Sequence, residues 1–230
     1  MRPNIKRDAG AARVHETAIV ESGVRLGRGT AVWDHVHIRG PAVIGNDCIV
    51  GEKTYIAYGV QIGSYVKINA QVYICTGVTI ADRVMVAAGV IFTNDRYPRA
   101  FGADGGLADS GPNEETLPTV VEEGATIGAG AIIGPGLTIG AYAMIGMGAV
   151  VVADVSPHGL AYGNPARTHG FVCVCGHPAS AARAVARGRA TLHRCSRCQR
   201  PFRMTDLGYQ QLDTQRRRPP LMRRTSGARP

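Results

Sequence analysis

The chain has 230 residues and a formal charge of +9, from 26 Lys+Arg and 17 Asp+Glu; apolar residues make up 45% and charged residues 19%. That composition can bury a core and excludes a largely disordered protein. No uncharged apolar run approaches the roughly 18–20 residues of a membrane span, and the N-terminal MRPNIKRDAG lacks the apolar stretch of a secretion signal, so the expectation is a soluble, cytoplasmic protein.

The charge is unevenly placed. Residues 1–170 hold 13 basic and 15 acidic side chains, whereas residues 171–230 hold 13 Arg, no Lys and two acids. This marks a domain boundary and weighs against nucleic acid as a partner of the main body. One Trp, eight Tyr and four Phe stand against 30 Gly, a balance that suits thin, repeated β-structure.

Residues 1–13 form an N-terminal segment. From Val14 every sixth residue is aliphatic or aromatic at fourteen consecutive positions: Val14, Val20, Leu26, Val32, Ile38, Ile44, Val50, Ile56, Ile62, Ile68, Ile74, Ile80, Val86 and Phe92. Chance gives such a run about once in 10⁵ frames, so the period is real. Two residues before each stands a small or β-branched residue, such as Ala18, Thr30, Cys48, Thr54 or Val72, and Gly often follows, as at Gly27, Gly45, Gly51 and Gly63. A period of six matches neither a helix nor a long flat strand. It matches a short strand and a tight corner, repeated and stacked as a parallel β-helix.

The pattern stops at Phe92 and returns as Val121, Ile127, Ile133, Ile139, Ile145 and Val151. The step from Phe92 to Val121 is not a multiple of six, so 93–120 is an inserted loop. It opens as FTNDRYPRA and continues as a glycine-rich, acidic stretch that reads as a flexible arm. A long insertion in a self-sufficient solenoid points to function. The β-helix is expected to end near residue 170.

Beyond it, Cys173, Cys175, Cys195 and Cys198 form two close pairs, C-x-C followed by Gly176 and C-x-x-C. The spacing resembles a zinc ribbon over 171–205, with His177 and His193 as backup ligands. Disulfide pairing is the alternative, without a secretion signal to support it. A piece this small with few aliphatics needs a clip to fold. Residues 206–230, with TQRRRPPLMRRTSGARP at the end, read as a basic disordered tail.

The string FTNDRYPR, the hexads VKI and VYI, the early WDHVHI and the later YGNPAR resemble the hexapeptide-repeat acyltransferases. Within that family they are similar to the bacterial sugar N-acetyltransferases that acetylate the 3-amino group of UDP-2-acetamido-3-amino-2,3-dideoxyglucuronate. The resemblance covers roughly residues 14–170. It implies an all-β, left-handed parallel β-helix with 18-residue coils, about seven of them, and a homotrimer with active sites between neighbouring subunits. It also implies acetyl-CoA as co-substrate, donating to a nucleotide-linked amino sugar, UDP- or dTDP-linked, with the 3-amino position favoured.

Asn94 matches the family's active-site Asn, whose amide orients the amine without titrating. His35 and His37, two residues apart and expected on turns facing one groove, are the runner-up general bases. Substrate contacts are expected from Asn69, Gln71, Tyr73, Thr76, Arg96, Tyr97 and Arg99, the two guanidiniums suiting a diphosphate or a carboxylate. With 18-residue coils, position 94 falls over Thr76 and Tyr58, position 73 over Tyr55 and His37, and position 71 over Lys53 and His35. In the family CoA runs along corner residues, here Ala129, Met147, Gly148 and Ala149, with Arg167 towards a phosphate. The run Asn69-Ala70-Gln71-Val72-Tyr73-Ile74-Cys75 departs from the expected QNNVSVY, which leaves the sugar and the nucleotide open. An O-acetyltransferase using a His base and a non-catalytic β-helix or zinc-dependent interaction protein are the competing readings.

Overall fold

The computed structural model describes residues 10–102, 105–108, 111, 116–179, 189–205 and 208–212. The N-terminal segment before Gly10 and most of the basic tail lie outside them.

Strands come in hexad order. The first run is β1 (Arg13–Val14), β2 (Ile19–Val20), β3 (Arg25–Leu26), β4 (Ala31–Val32), β5 (His37–Ile38), β6 (Val43–Ile44) and β7 (Ile49–Val50). It continues as β8 (Tyr55–Ile56), β9 (Gln61–Ile62), β10 (Lys67–Ile68), β11 (Tyr73–Ile74), β12 (Val78–Ile80), β13 (Met85–Val86) and β14 (Ile91–Phe92). After the insertion follow β15 (Thr119–Val121), β16 (Thr126–Ile127), β17 (Ile132–Ile133), β18 (Thr138–Ile139), β19 (Met144–Ile145) and β20 (Val150–Val151). A hairpin of β21 (Gly159–Gly163) and β22 (Ala166–Phe171) closes this part.

Every third strand shares a sheet. Face 1 runs β1-β4-β7-β10-β13-β16-β19-β21-β22, face 2 runs β2-β5-β8-β11-β14-β17-β20, and face 3 runs β18-β15-β12-β9-β6-β3. All pairings up to β21 are parallel; on either side of the insertion the offset is 18 residues, as in Arg13↔Ala31 and Ile49↔Lys67, and it shortens to 16 where β21 joins β19, as in Met144↔Leu160. Across the insertion the offset is 41, as in Ile91↔Ile132. The result is the expected triangular β-helix, with eight parallel rungs on its longest face. No helix among the described residues is long and apolar enough to cross a membrane.

The hexad explains itself in three dimensions. The second strand residue points inward, and Ile38, Ile56, Ile74, Val86, Phe92, Ile133 and Ile145 are essentially dry. Val14, on the open first coil, stays 44% exposed. The inward position two residues earlier is tight. Where it is Thr, the hydroxyl bridges coils: Thr30 Oγ1 donates to the Gly45 carbonyl (2.7 Å) and accepts from the Cys48 N–H (3.0 Å), so the buried hydroxyl is satisfied.

Most corners place one residue at positive φ: Gly23, Gly29, His35, Asp47, Lys53, Gly59, Tyr65, Gln71, Gly77, Arg83 and Gly89 supply it at six-residue spacing, and Pro41, whose ring holds φ negative, breaks the series at one corner. The Gly that follows the buried aliphatic has another reason. A Cβ on Gly45 would stand 2.6 Å from the Gly63 carbonyl carbon, and one on Gly128 2.7 Å from that of Gly146. Adjacent coils touch backbone to backbone there.

The insertion ends at residue 118, two residues earlier than expected, because Thr119 already pairs with Val78. Its described part is not wholly irregular: Phe101 and Leu107 form an antiparallel bridge.

Past β22 lies a second, three-stranded antiparallel sheet, β23 (Thr191–Arg194), β24 (Pro201–Thr205) and β25 (Gly208–Gln211). Residues 208–211 therefore lie in a sheet rather than in the tail expected from 206. Tyr209 packs against Phe202, and the Leu212 N–H donates to the Pro201 carbonyl (3.2 Å), which gives this stretch a partner. The small core here is Cys173, Ala179, Cys195, Phe202 and Met204.

Candidate functional site

The residues expected to carry chemistry sort onto two edges of face 2. Between face 1 and face 2 lies a first edge, carrying His35, Asn69, Gln71, Ala129, Met147 and Gly148. Between face 2 and face 3 lies a second edge, carrying Tyr58, Thr76 and Asn94. One hexad separates the edges, an extended reach of up to about 20 Å. A single chain does not bring all of them together.

On the second edge, Asn94 follows β14 and is half-buried. Its carbonyl accepts the Leu117 N–H (3.0 Å), which ties the two roots of the insertion together. Thr93 braces it: its N–H and Oγ1 both donate to the Ile133 carbonyl, at 3.0 and 3.1 Å. Beneath lies Cys75, buried, with its thiol pushed up to about 12 by desolvation and by the negative charge of Asp95. It is a packing residue there, not a nucleophile. Arg96, Tyr97 and Arg99 project into solvent, Tyr97 being 80% exposed.

Face 2 between the edges carries an aromatic column. Tyr73 and Tyr55 stack at 5.2 Å and 8°, and His37 meets Tyr55 edge-on at 5.6 Å. These three sit on strands, outward-facing, and not at corners, because they occupy the first strand position of each hexad. Burial raises the Tyr73 phenol above its ordinary value.

The two histidines part company. His35 is a positive-φ corner residue whose N–H donates to Thr17 Oγ1 (3.0 Å), while His37 lies within β5. His37 Nε2 stands 2.9 Å from Glu21, and Arg39 shares that carboxylate at 2.7 Å. Hydrogen bonds from His37, then Arg39, pull Glu21 down to about 2. Three rungs separate β5 from β14 on face 2, about 14 Å at the usual strand spacing. His37 is thus far from Asn94 within one chain.

The first edge is a groove. A cavity of about 320 Å³ is lined by Trp33, Gly51, Glu52, Asn69, Ala70 and Ala88 among others. Asn69 is among the expected substrate contacts; Trp33 and Glu52 are not. The available signal was that the chain's one Trp stands at a corner in the Asn69 column. Not all polar corners are sites: on the third edge Asn46, Ser64 and Asp82 each accept the backbone N–H of the preceding coil, at 2.9, 3.0 and 2.7 Å, and are structural.

Towards the C-terminal coils the same edge carries Ala129, Met147 and Gly148, all exposed, Met147 at 83%. Ala149 faces inward and is fully buried. Its N–H donates to Gly146 (3.4 Å) and its carbonyl accepts from Ile132 (2.8 Å), so it has no free group to offer a ligand. The β21–β22 hairpin closes over this end. Tyr162 packs on Gly146, where a Cβ would stand 2.6 Å from that of Tyr162, and Tyr162 stacks on His169 at 4.0 Å. Arg167 faces Tyr162 in the hairpin register and is exposed.

The four C-terminal thiols converge. All four Sγ atoms lie within 4.8 Å of one another, with Cys173–Cys198 at 3.5 Å and Cys175–Cys195 at 3.7 Å. Tetrahedral Zn–S bonds of about 2.3 Å set the sulfurs about 3.8 Å apart, so the donor set and its spacing fit that ion. Burial opposes the Cys195 thiolate, but the backbone N–H groups of Cys198 and Arg197 outweigh it and bring it down to about 7. His177 and His193 are not in this cluster, and His193 is engaged with Thr191 at 2.8 Å.

Comparison with known proteins agrees with this architecture. The family described as bacterial transferase hexapeptide (six repeats) matches residues 23–58, 59–94 and 118–153. A dTDP-3-amino-3,6-dideoxy-alpha-D-galactopyranose 3-N-acetyltransferase of Aneurinibacillus thermoaerophilus is 41% identical over 168 residues, covering 70% of this chain and 79% of that one. Among solved structures, a UDP-N-acetylglucosamine acyltransferase of Bacteroides fragilis matches with TM-score 0.56 at 15% identity, over 70% of this chain and 61% of the other. A Caulobacter crescentus protein in complex with CoA and GDP-perosamine is 26% identical with TM-score 0.41, over 70% of this chain and 58% of that one.

Proposed function

The chain belongs to the hexapeptide-repeat acyltransferases, and from that premise we propose that it is an acetyl-CoA-dependent N-acetyltransferase acting on a nucleotide-linked amino sugar. A dTDP- or UDP-linked 3-amino sugar is the favoured acceptor. The 41% identity to a dTDP-3-amino-sugar 3-N-acetyltransferase over most of both chains carries the reading.

The chemistry is undemanding. The free amine attacks the thioester carbon; a C–N bond forms, a tetrahedral oxyanion appears, and the C–S bond breaks to release CoA thiolate. The proton lost from nitrogen passes to that thiolate or to solvent. Asn94 orients the amine, and positioning against the thioester supplies much of the acceleration. Arg96, Tyr97 and Arg99 on the insertion hold the nucleotide sugar, with Thr76, Tyr73, Asn69 and Gln71 beside it. CoA lies along the first edge past Ala129, Met147 and Gly148, with Arg167 towards a phosphate. Because the two edges lie on opposite sides of face 2, the complete site joins one protomer's first edge to another's second edge, and a homotrimer provides that junction. The four thiols hold a structural Zn²⁺, with no open coordination position for catalysis.

An O-acetyltransferase would need a base beside Asn94. His37, paired with Glu21 and Arg39 three rungs away, does not serve that site within one chain.

Thiol release from acetyl-CoA, measured across UDP- and dTDP-linked 3-amino and 4-amino sugars, tests the proposal. Turnover of at least one 3-amino sugar, with the acetyl group on nitrogen, is expected. Acetyl transfer only to hydroxyls, or to none of the set, refutes it.

A further inference from the structure

The four-thiol module does not stand apart from the β-helix. Val172, immediately before Cys173, is clasped by His158: its N–H donates to the His158 carbonyl (2.8 Å), and its carbonyl accepts from His158 Nδ1 (3.0 Å). The Cys173–Gly176 knuckle lies against the outside of face 1, where it shares a cavity of about 190 Å³ with Thr126, Tyr142 and Met144. A ring column runs from the coils into the module: Tyr142 on His158 at 5.3 Å, His158 on Tyr209 at 4.3 Å, and Tyr209 on Phe202 at 4.9 Å. Tyr209 also faces Phe171, the last residue of the hairpin, at 6.4 Å.

Among the described residues, the buried side chains of the module are two thiols, Ala179, Phe202 and Met204. Too small a core folds only with a staple. Cys195 and Cys198 sit between β23 and β24, while Cys173 and Cys175 follow the hairpin. A cation bound by all four therefore ties the sheet that carries Tyr209 to the strand that carries Arg167.

We infer that this metal site is a latch: a Zn²⁺-type cation on Cys173, Cys175, Cys195 and Cys198 holds Tyr209 against His158 and Phe171, and thereby fixes the β21–β22 hairpin over Gly146–Met147. Tyr209 is then a positioning residue for acetyl-CoA binding, about one hairpin length from the donor. This rests on the proposed function for the donor's place and on the thiols binding metal.

The test uses the full chain and three readouts: metal per chain, hydrogen exchange of peptides 159–172 and 126–151, and steady-state kinetics. One Zn²⁺ per chain is expected. Its removal by a chelator raises exchange in 159–172 about tenfold, leaves 126–151 protected, and raises the KM for acetyl-CoA about tenfold with kcat within a factor of about two. Tyr209→Ala keeps the metal and reproduces both changes, whereas Tyr209→Phe, which retains the ring, behaves as the parent. Bound zinc whose removal moves neither exchange nor KM overturns the latch alone. A chain that acetylates its sugar but never binds the ion overturns the metal site and the latch, leaving the enzyme reading intact.

Discussion

The β-helix and the C-terminal module solve the same problem in opposite ways. In the β-helix each coil buries its aliphatics on the coils above and below, so stability accumulates by repetition. Ile133, between the Phe92 and Val151 rungs, is completely buried without any ligand or cross-link. In the module one Phe, one Met and one Ala share the interior with thiols. There four sulfurs from two separate stretches meet within 4.8 Å of one another. Redundancy makes the first region tolerant of local damage at its ends; on the latch proposed above, the second rests on one site.

The sharpest way to break this contrast is to injure the repeat. Ile133→Ala should cost about 2–5 kcal/mol, the range for truncating a buried aliphatic. It should lower the main thermal transition by several degrees while the metal content stays unchanged; an unmoved transition would mean the coils do not depend on their ladder. Next in size is Asn94→Ala, expected to lower kcat/KM about 100-fold, or about 2.7 kcal/mol. Its melting curve should not move, because the backbone carbonyl that ties down Leu117 remains. Turnover within a factor of about three of the parent would remove Asn94 from the site.

A subunit-mixing experiment probes the two edges. Asn94→Ala and Met147→Arg chains, each strongly impaired alone, should regain about a quarter of parental activity per site when refolded together at equal amounts, if sites are shared between protomers. No recovery would place both edges' work within one chain.

The smallest effect is a pH dependence confined to the junction. Desolvation lowers His158 below its ordinary value of 6.5, so its neutral ring, donating from Nδ1 to Val172, is the folded form. A depressed His binds more protons unfolded than folded, so its contribution is fully present above about 6.5 and declines as the pH falls below that. Exchange in 158–172 should rise between pH 7.5 and 5.5, and His158→Gln should flatten the change. A junction equally protected at both values would separate His158 from docking.

Much of this was legible in one dimension. The sixfold series from Val14 to Phe92 names the inward residue of every strand, because a corner as short as four residues leaves no room for register to drift. The insertion was visible as a broken phase, and the four thiols as two close pairs. Less legible was which face an outward residue meets. The column of His37, Tyr55 and Tyr73 looked like a corner because spacing gives stacking without direction. Ala149 reads as a cofactor contact because it stands in the GMGAVV run beside Met147 and Gly148, yet it occupies an inward position two residues before a strand's buried Val151. The strand at Gly208–Gln211 was hidden by the charge of its surroundings, since Tyr209 alone signals its burial.

Periodicity by itself determined that this polypeptide winds into stacked coils, since local spacing dictates which side chains point inward wherever the chain turns. Tertiary structure alone decided that Asn94 and Met147 fall on opposite edges of one face, and that the thiol module bears on the hairpin that packs on Gly146. Those relations are set by three-dimensional closure between residues distant in the chain, and no local pattern encodes them.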